Sequence, residues 1–193
     1  MKRFAATILF SLAAASPAIA HTAEGLGGGF ASGFMHPLLG ADHIAAMLAV
    51  GLWGAFLGAP AIFILPIVFP LVMAIGGVLG ILGVPLPGIE LGIAVSAVVL
   101  GLMVALAAKP HLWIAALLVG VFAIFHGHAH GTELPGETNA LAYAIGFVIA
   151  TGLLHLAGIA FGLLTQYPNG RLAVRAAGGA IALAGLVFLG RLI

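Results

Sequence analysis

Apolar stretches of about 20 residues, the length that crosses a hydrocarbon core, follow one another through this chain with only proline-glycine turns and isolated charges between them. That pattern decides the solvent before any motif is read. Hydrophobic residues make up 63% of the 193 and charged residues 6%, against roughly 25% charged in soluble domains, and no soluble core of this size hides so much apolar surface. The sequence predicts an all-α polytopic membrane protein, because backbone in lipid must satisfy its own hydrogen bonds. A formal net charge of +1 with no clustered basic face gives no hold on a phosphate backbone, so nucleic acid is not an expected partner. Zero cysteines exclude disulfides and thiolate metal sites. Imidazole, carboxylate, carbonyl and amine remain, a palette suited to nickel, cobalt, zinc or copper(II).

Residues 1–20 read as a signal peptide, with Lys2-Arg3, an apolar run from Phe4 to Ala15 and the small-residue site Ala18-Ile19-Ala20. Cleavage after Ala20 leaves His21 at the mature N-terminus, where one residue offers both an amine and an imidazole. The remaining residues 21–193 form a single domain with six expected spans near residues 34–57, 60–82, 89–108, 111–131, 138–165 and 172–192. Proline and glycine clusters separate them, and Pro66 and Pro70 inside the second span kink it or free carbonyls toward a cavity. An exported N-terminus places Lys109, Arg171 and Arg175 in the cytoplasm and Glu24, Glu90, Glu133 and Glu137 outside, in accord with the positive-inside rule. Only Arg191 departs from it, and both mature termini fall in the periplasm. Trp53, Trp113 and Tyr167 are expected as interfacial anchors. Many of the 29 glycines suit close helix packing.

Against this apolar background stand two ionisable clusters, His36-Pro37-Leu38-Leu39-Gly40-Ala41-Asp42-His43 and His126-Gly127-His128-Ala129-His130-Gly131-Thr132-Glu133. A carboxylate at bilayer centre costs roughly 2.5 to 3.5 kcal/mol on insertion scales, so Asp42 beside His43 points to function. On a straight helix His36 and His43 share a face, with Asp42-His43 about 10 Å deeper than His36 by helical rise. His126 and His130 share a face of the fourth span while His128 points away, unless Gly127 and Gly131 unwind that end and bring all three together. The antiparallel first and fourth spans thus offer Asp42, His43, His126 and His130 at similar depth. Asp42 binds metal there or orients an imidazole by hydrogen bond. His155, one turn after Thr151 in the fifth span, is placed either for packing or to pass an ion inward. His111 reads as an interfacial residue, and Glu90 as a solvated helix start or an attractor of cations.

The strings His36-Pro37-x-x-Gly40-x-Asp42-His43 and His126-Gly127-x-Ala129-His130-Gly131-x-Glu133 resemble those of the HupE/UreJ family of nickel and cobalt permeases. Larger nickel/cobalt transporters carry a related motif with four residues between the first histidine and Asp-His, whereas five intervene here. The resemblance implies uptake of Ni(II), with Co(II) as second candidate, across the bacterial inner membrane to supply hydrogenase or urease maturation. It also implies metal-handling roles for His36, Asp42, His43, His126, His130 and Glu133, and His21 resembles the family's histidine near the cleavage site.

The expected route is capture by His21, His36 and Glu133, dehydration among Asp42, His43, His126 and His130, and release past His155, with His128 a further candidate ligand. The metal is substrate, with no prosthetic group expected, and the other expected partner is membrane lipid. A homo-oligomer is compatible with the sequence. No phosphate-binding Gly-x-x-x-x-Gly-Lys-[Ser/Thr] string is present. Transport then runs on a metal gradient, the membrane potential or a coupled ion. Two rival classes are an intramembrane metal-dependent enzyme, whose histidine-box and nucleophile-elbow signatures are missing, and a metal-binding accessory protein that does not transport. A bis-histidine haem carrier suits the adjacent Asp42 less well.

Overall fold

The computed structural model describes residues 28–134 and 139–192. The expected signal peptide, His21, Glu24 and Glu137 lie outside the described residues. Helices account for the described fold: α1 Gly28–Leu39, α2 Ala41–Leu57, α3 Ala61–Ile81, α4 Ile89–Ala105, α5 Leu112–Thr132, α6 Ala140–Gly162 and α7 Pro168–Gly190, with a 3-10 turn, Leu163–Gln166, joining the last two. Each starts or stops where the sequence withdraws a backbone partner. Gly58, Gly83 and Gly88 take positive φ after α2, after α3 and before α4, Pro168 opens α7, and the Asn139 side chain caps α6 by accepting from the Ala142 N–H at 3.0 Å.

Four helices, α3, α5, α6 with its 3-10 extension and α7, are long and apolar enough to cross a membrane, and α1 with α2 meets the same test as one broken span. The chain is a multi-pass membrane protein. Two features depart from the six regular spans expected. The first is sharply bent, by 81° between α1 and α2. The third, α4, has 17 residues and covers about 25 Å. It starts after the Pro85-Leu86-Pro87-Gly88 turn and ends before Ala107, whose φ of 56° turns the chain toward Lys109-Pro110.

The helix α2 runs through the middle of the bundle, touching α3, α4, α6 and α7, and is buried around its circumference, as an apolar helix without a polar stripe must be. Trp53 is fully buried there and donates its indole N–H to the Ala108 carbonyl at 3.0 Å. It holds the α4–α5 turn instead of anchoring an interface, since α2 lies inside the other helices. Trp113 and Tyr167 are exposed, as interfacial residues should be. In α3 the two faces separate by helical period. Leu65, Phe69, Met73, Gly76 and Gly80 face inward, whereas Phe63, Ile67, Leu71 and Ile75 form a lipid-facing stripe.

Glycine sets how close α3 and α5 come. A Cβ at Gly127 would overlap the Met73 carbonyl, and one at Gly131 would overlap that of Gly77. Backbone therefore packs directly on backbone along the last turns of α5, which fixes the helix that carries three of the histidines. We expect Gly127→Val to destabilise the detergent-solubilised protein by about 1–3 kcal/mol or more, as overpacking does. Gly152→Ala, which meets no atom within 4 Å, should leave the thermal midpoint unchanged or raised.

Candidate metal centre

The chain breaks at Gly40, which adopts extended φ −89° and ψ 111° between two helical segments. Pro37 loosens α1 just before the break because it has no N–H to give the Gly33 carbonyl. A Cβ on Gly40 would crowd His43 Nδ1 and Asp42 Oδ1, at 2.7 and 3.0 Å, so glycine is the residue that leaves this pair undisturbed. Asp42 then accepts from both the backbone N–H and the Nδ1–H of His43, each at 2.9 Å. The straight helix expected from the seven-residue spacing is corrected here. Across the bend, the His36 and His43 rings come to 6.4 Å between centroids, closer than helical rise would hold them.

From the other side, α5 presents His126 and His130 on one face, four residues apart as expected. The His130 ring lies 4.7 Å from His36 and 4.4 Å from His43, and the His126 ring lies 5.2 Å from His43. Beyond the end of α5, Glu133 Oε2 is 3.5 Å from His36 Nε2. One ligand atom from each of His36, His130 and Glu133 falls within 4.8 Å of the others. Donors about 2.1 Å from a shared ion lie at most about 4.2 Å apart, so the set stands within a few tenths of an ångström of that limit, with His36 and Glu133 already inside it. Glu90 opens α4 on the same side, within electrostatic range of Asp42, Glu133 and His43.

The structure does not bring His128 to this cluster. Helix α5 stays regular to Thr132, since Gly127 and Gly131 are used for packing on α3 and do not unwind. His128 faces the other way and donates its Nε2–H to the Val84 carbonyl at 2.6 Å, tying down the turn between α3 and α4.

Deeper in the bundle the imidazoles are prepared in a common way. His126 gives its Nδ1–H to the Phe122 carbonyl at 2.9 Å, and His43 gives its own to Asp42. A neutral ring that donates through Nδ1 keeps an unprotonated Nε2. Among the described residues, the Nε2 atoms of His43 and His126 are buried without a hydrogen-bond partner, as are both ring nitrogens of His130. An unmatched buried polar atom costs about 1–3 kcal/mol, and the lone pairs on three neighbouring rings are of the kind that can hold a cation. The carboxylate of Asp42 serves as the group that orients His43, which is one of the two roles left open by the sequence.

Below His126 the Phe69 ring intervenes, 5.4 Å from His126 and 5.4 Å from His155. His155 and Thr151 are buried side by side on α6, one turn apart. Pro70 has no N–H to offer the Pro66 carbonyl, and that carbonyl faces the His155 ring without the geometry of a full hydrogen bond. Sequence reasoning missed the aromatic parts of this site. The Phe147 ring packs tilted 4.3 Å from His130, and Tyr143 lies edge-on 5.9 Å from His36, and their spacing of four on α6 was the available signal.

A family model described as HupE / UreJ protein matches residues 8–188. Among curated proteins, one named Protein HupE from Rhizobium leguminosarum bv. viciae is 48% identical over 178 residues, 92% of this chain and 93% of that protein. No solved structure matches. From the geometry, Ni(II) titrated into the purified protein should bind about tenfold more weakly or worse in His36→Ala and Glu133→Gln, the scale on which altered metal surroundings act. Isothermal calorimetry should find His128→Asn within about twofold of the parent, because His128 lies outside the cluster.

Proposed function

The chain belongs to the HupE/UreJ family, and from that premise and the histidine geometry we propose that it is an inner-membrane permease importing Ni(II), with Co(II) as second substrate. The family comprises transport and accessory proteins, not enzymes. What carries the reading is a graded file of donors. It begins at the half-buried His36 and the exposed Glu133, passes the buried rings of His130, His43 and His126, and reaches His155 beyond Phe69.

In this account an aqueous cation meets His36 and Glu133 first, with His21 of the mature N-terminus as an added ligand. It exchanges water for the free nitrogens of His130, His43 and His126, while Asp42 holds His43 in its binding tautomer and offsets the cation's charge. Several adjacent sites of moderate strength favour flux over retention. The Phe69 ring then separates this cluster from His155, so passage requires that ring to turn aside. Imidazole and carboxylate suit nickel and cobalt alike, with nickel ahead in the Irving-Williams order.

The topology that fits is six passes after a cleaved leader, with α1 and α2 as one broken pass and α4 as a short one. The histidine end and both mature termini then face the periplasm, and Lys109, Arg171 and Arg175 face the cytoplasm, as the positive-inside rule favours. An inward-negative potential favours entry of a divalent ion by about 4.6 kcal/mol per 100 mV. That driving force requires no second substrate. The imported metal would supply hydrogenase or urease maturation.

One observation favours the rival of an accessory protein that binds metal without moving it, namely that Leu65 and Trp53 are fully buried in helices that continue past the histidines. Reconstitution separates the two. Liposomes holding a nickel-sensitive dye and an inward-negative potential should show Ni(II) influx with the parent chain. Asp42→Ala and His43→Ala should lower it about tenfold or more while membrane insertion is unchanged. Binding without influx in the parent would favour the accessory reading, and normal influx in either variant would remove the central cluster from the route.

A further inference from the structure

At the end of the bundle away from the histidines, three cations converge on one cleft. Lys109 follows α4, and Arg171 and Arg175 lie on the first two turns of α7. With Thr165, Phe56 and Leu163 they line a cavity of about 430 Å3. The described carboxylates Asp42, Glu90 and Glu133 all sit at the other end of their helices, so among the described residues no acid neutralises this charge. Three like charges held together without a counter-ion favour an anion.

The cations are also held in place. Arg175 donates its Nε–H to the Ala105 carbonyl at 2.8 Å, capping the end of α4, and one spent donor of five leaves the rest of the guanidinium for a ligand. The Lys109 ammonium sits 5.4 Å from the Phe56 ring centroid, over its face. Thr165 gives its hydroxyl proton to the Gly162 carbonyl at 2.8 Å, so it has no donor left for an anion and recognition falls to the three cations. The positive end of the dipole of α7, a 23-residue helix, lies at the same end of the bundle.

Chemistry at the rim separates a lipid from a soluble anion. Leu163 lines the cleft and is exposed, as are Tyr167 and Leu172 close to it in the chain, so apolar surface adjoins the charged floor. Basic pockets between membrane helices take phospholipid head groups in this way. We propose that the cleft binds the phosphate of an anionic glycerophospholipid, with Lys109, Arg171 and Arg175 on the phosphodiester and an acyl chain against Leu163. This holds whichever way the protein faces and whether or not it moves metal.

Native mass spectrometry of the full delipidated chain, titrated with dioleoylphosphatidylglycerol, dioleoylphosphatidylcholine and inorganic phosphate, tests it. Phosphatidylglycerol should bind at least about tenfold more tightly than phosphatidylcholine, given the attraction per basic residue near an anionic lipid. The paired change Lys109→Gln with Arg171→Gln, both at exposed side chains, should remove that preference. Arg191→Gln, at the far end of α7, should keep it. Arg175→Gln loses a helix cap as well, so it is not the deciding variant. Equal losses in the paired variant and in Arg191→Gln would overturn the site as a general charge effect. Inorganic phosphate matching phosphatidylglycerol would overturn the lipid assignment in favour of a soluble anion.

Discussion

The Asp42 carboxylate accepts twice from its neighbour His43, and the arrangement around it follows from that pairing. A carboxylate in an apolar bundle must find donors or be expelled. Here the donors come from the next residue, at the start of a helix whose first N–H groups are free. For that, α1 must end at Gly40 and α2 begin at Ala41, and the resulting bend turns His36 back toward His43. The ionic group thus costs less than an isolated charge, and the same hydrogen bonds fix which imidazole nitrogen is left for a ligand.

Glycine supplies the matching constraint on α5. Because Gly127 and Gly131 lie against the backbone of α3, the terminal turns cannot rotate freely, and His126 and His130 keep one face while His128 keeps the other. The two halves of the cluster come from elements immobilised by different means, one by a hydrogen-bonded helix start and one by backbone contact. Aromatic rings close the sides, with Phe147 against His130 and Phe69 beneath His126. Charge is divided accordingly, with the described acids and the clustered imidazoles at one end, and the described lysine and arginines, apart from Arg191, at the other beside His111.

Much of this was legible in the sequence, for reasons that can be named. Apolar length and proline-glycine punctuation located α3 to α7 within a few residues, since lipid solvent admits few other backbone solutions, whereas the first expected span, 34–57, is two helices beginning at Gly28. The i, i+4 spacing placed His126 and His130 together, but it left His128 open as a further ligand, and only the regular end of α5 and the bond to Val84 set it apart. The sequence did not reveal the 81° bend, because an apolar run reads the same whether or not one glycine inside it is extended. Nor did it reveal that Trp53 is buried, since the order in which helices surround α2 is a tertiary fact. Phe69 and Phe147 were hidden for a plainer reason, as aromatic residues are common in any membrane helix.

The account stands on a single physical claim, that His36, His130 and Glu133 share a divalent cation at the mouth of a deeper histidine cluster. Anomalous diffraction at the nickel edge, from crystals of the full chain grown with Ni(II), measures this directly. The account predicts a peak about 2.1 Å from ligand atoms of these three residues, with any second peak at His43 and His126. Anomalous density confined to the surface imidazole of His111, with none among the clustered rings, would contradict it.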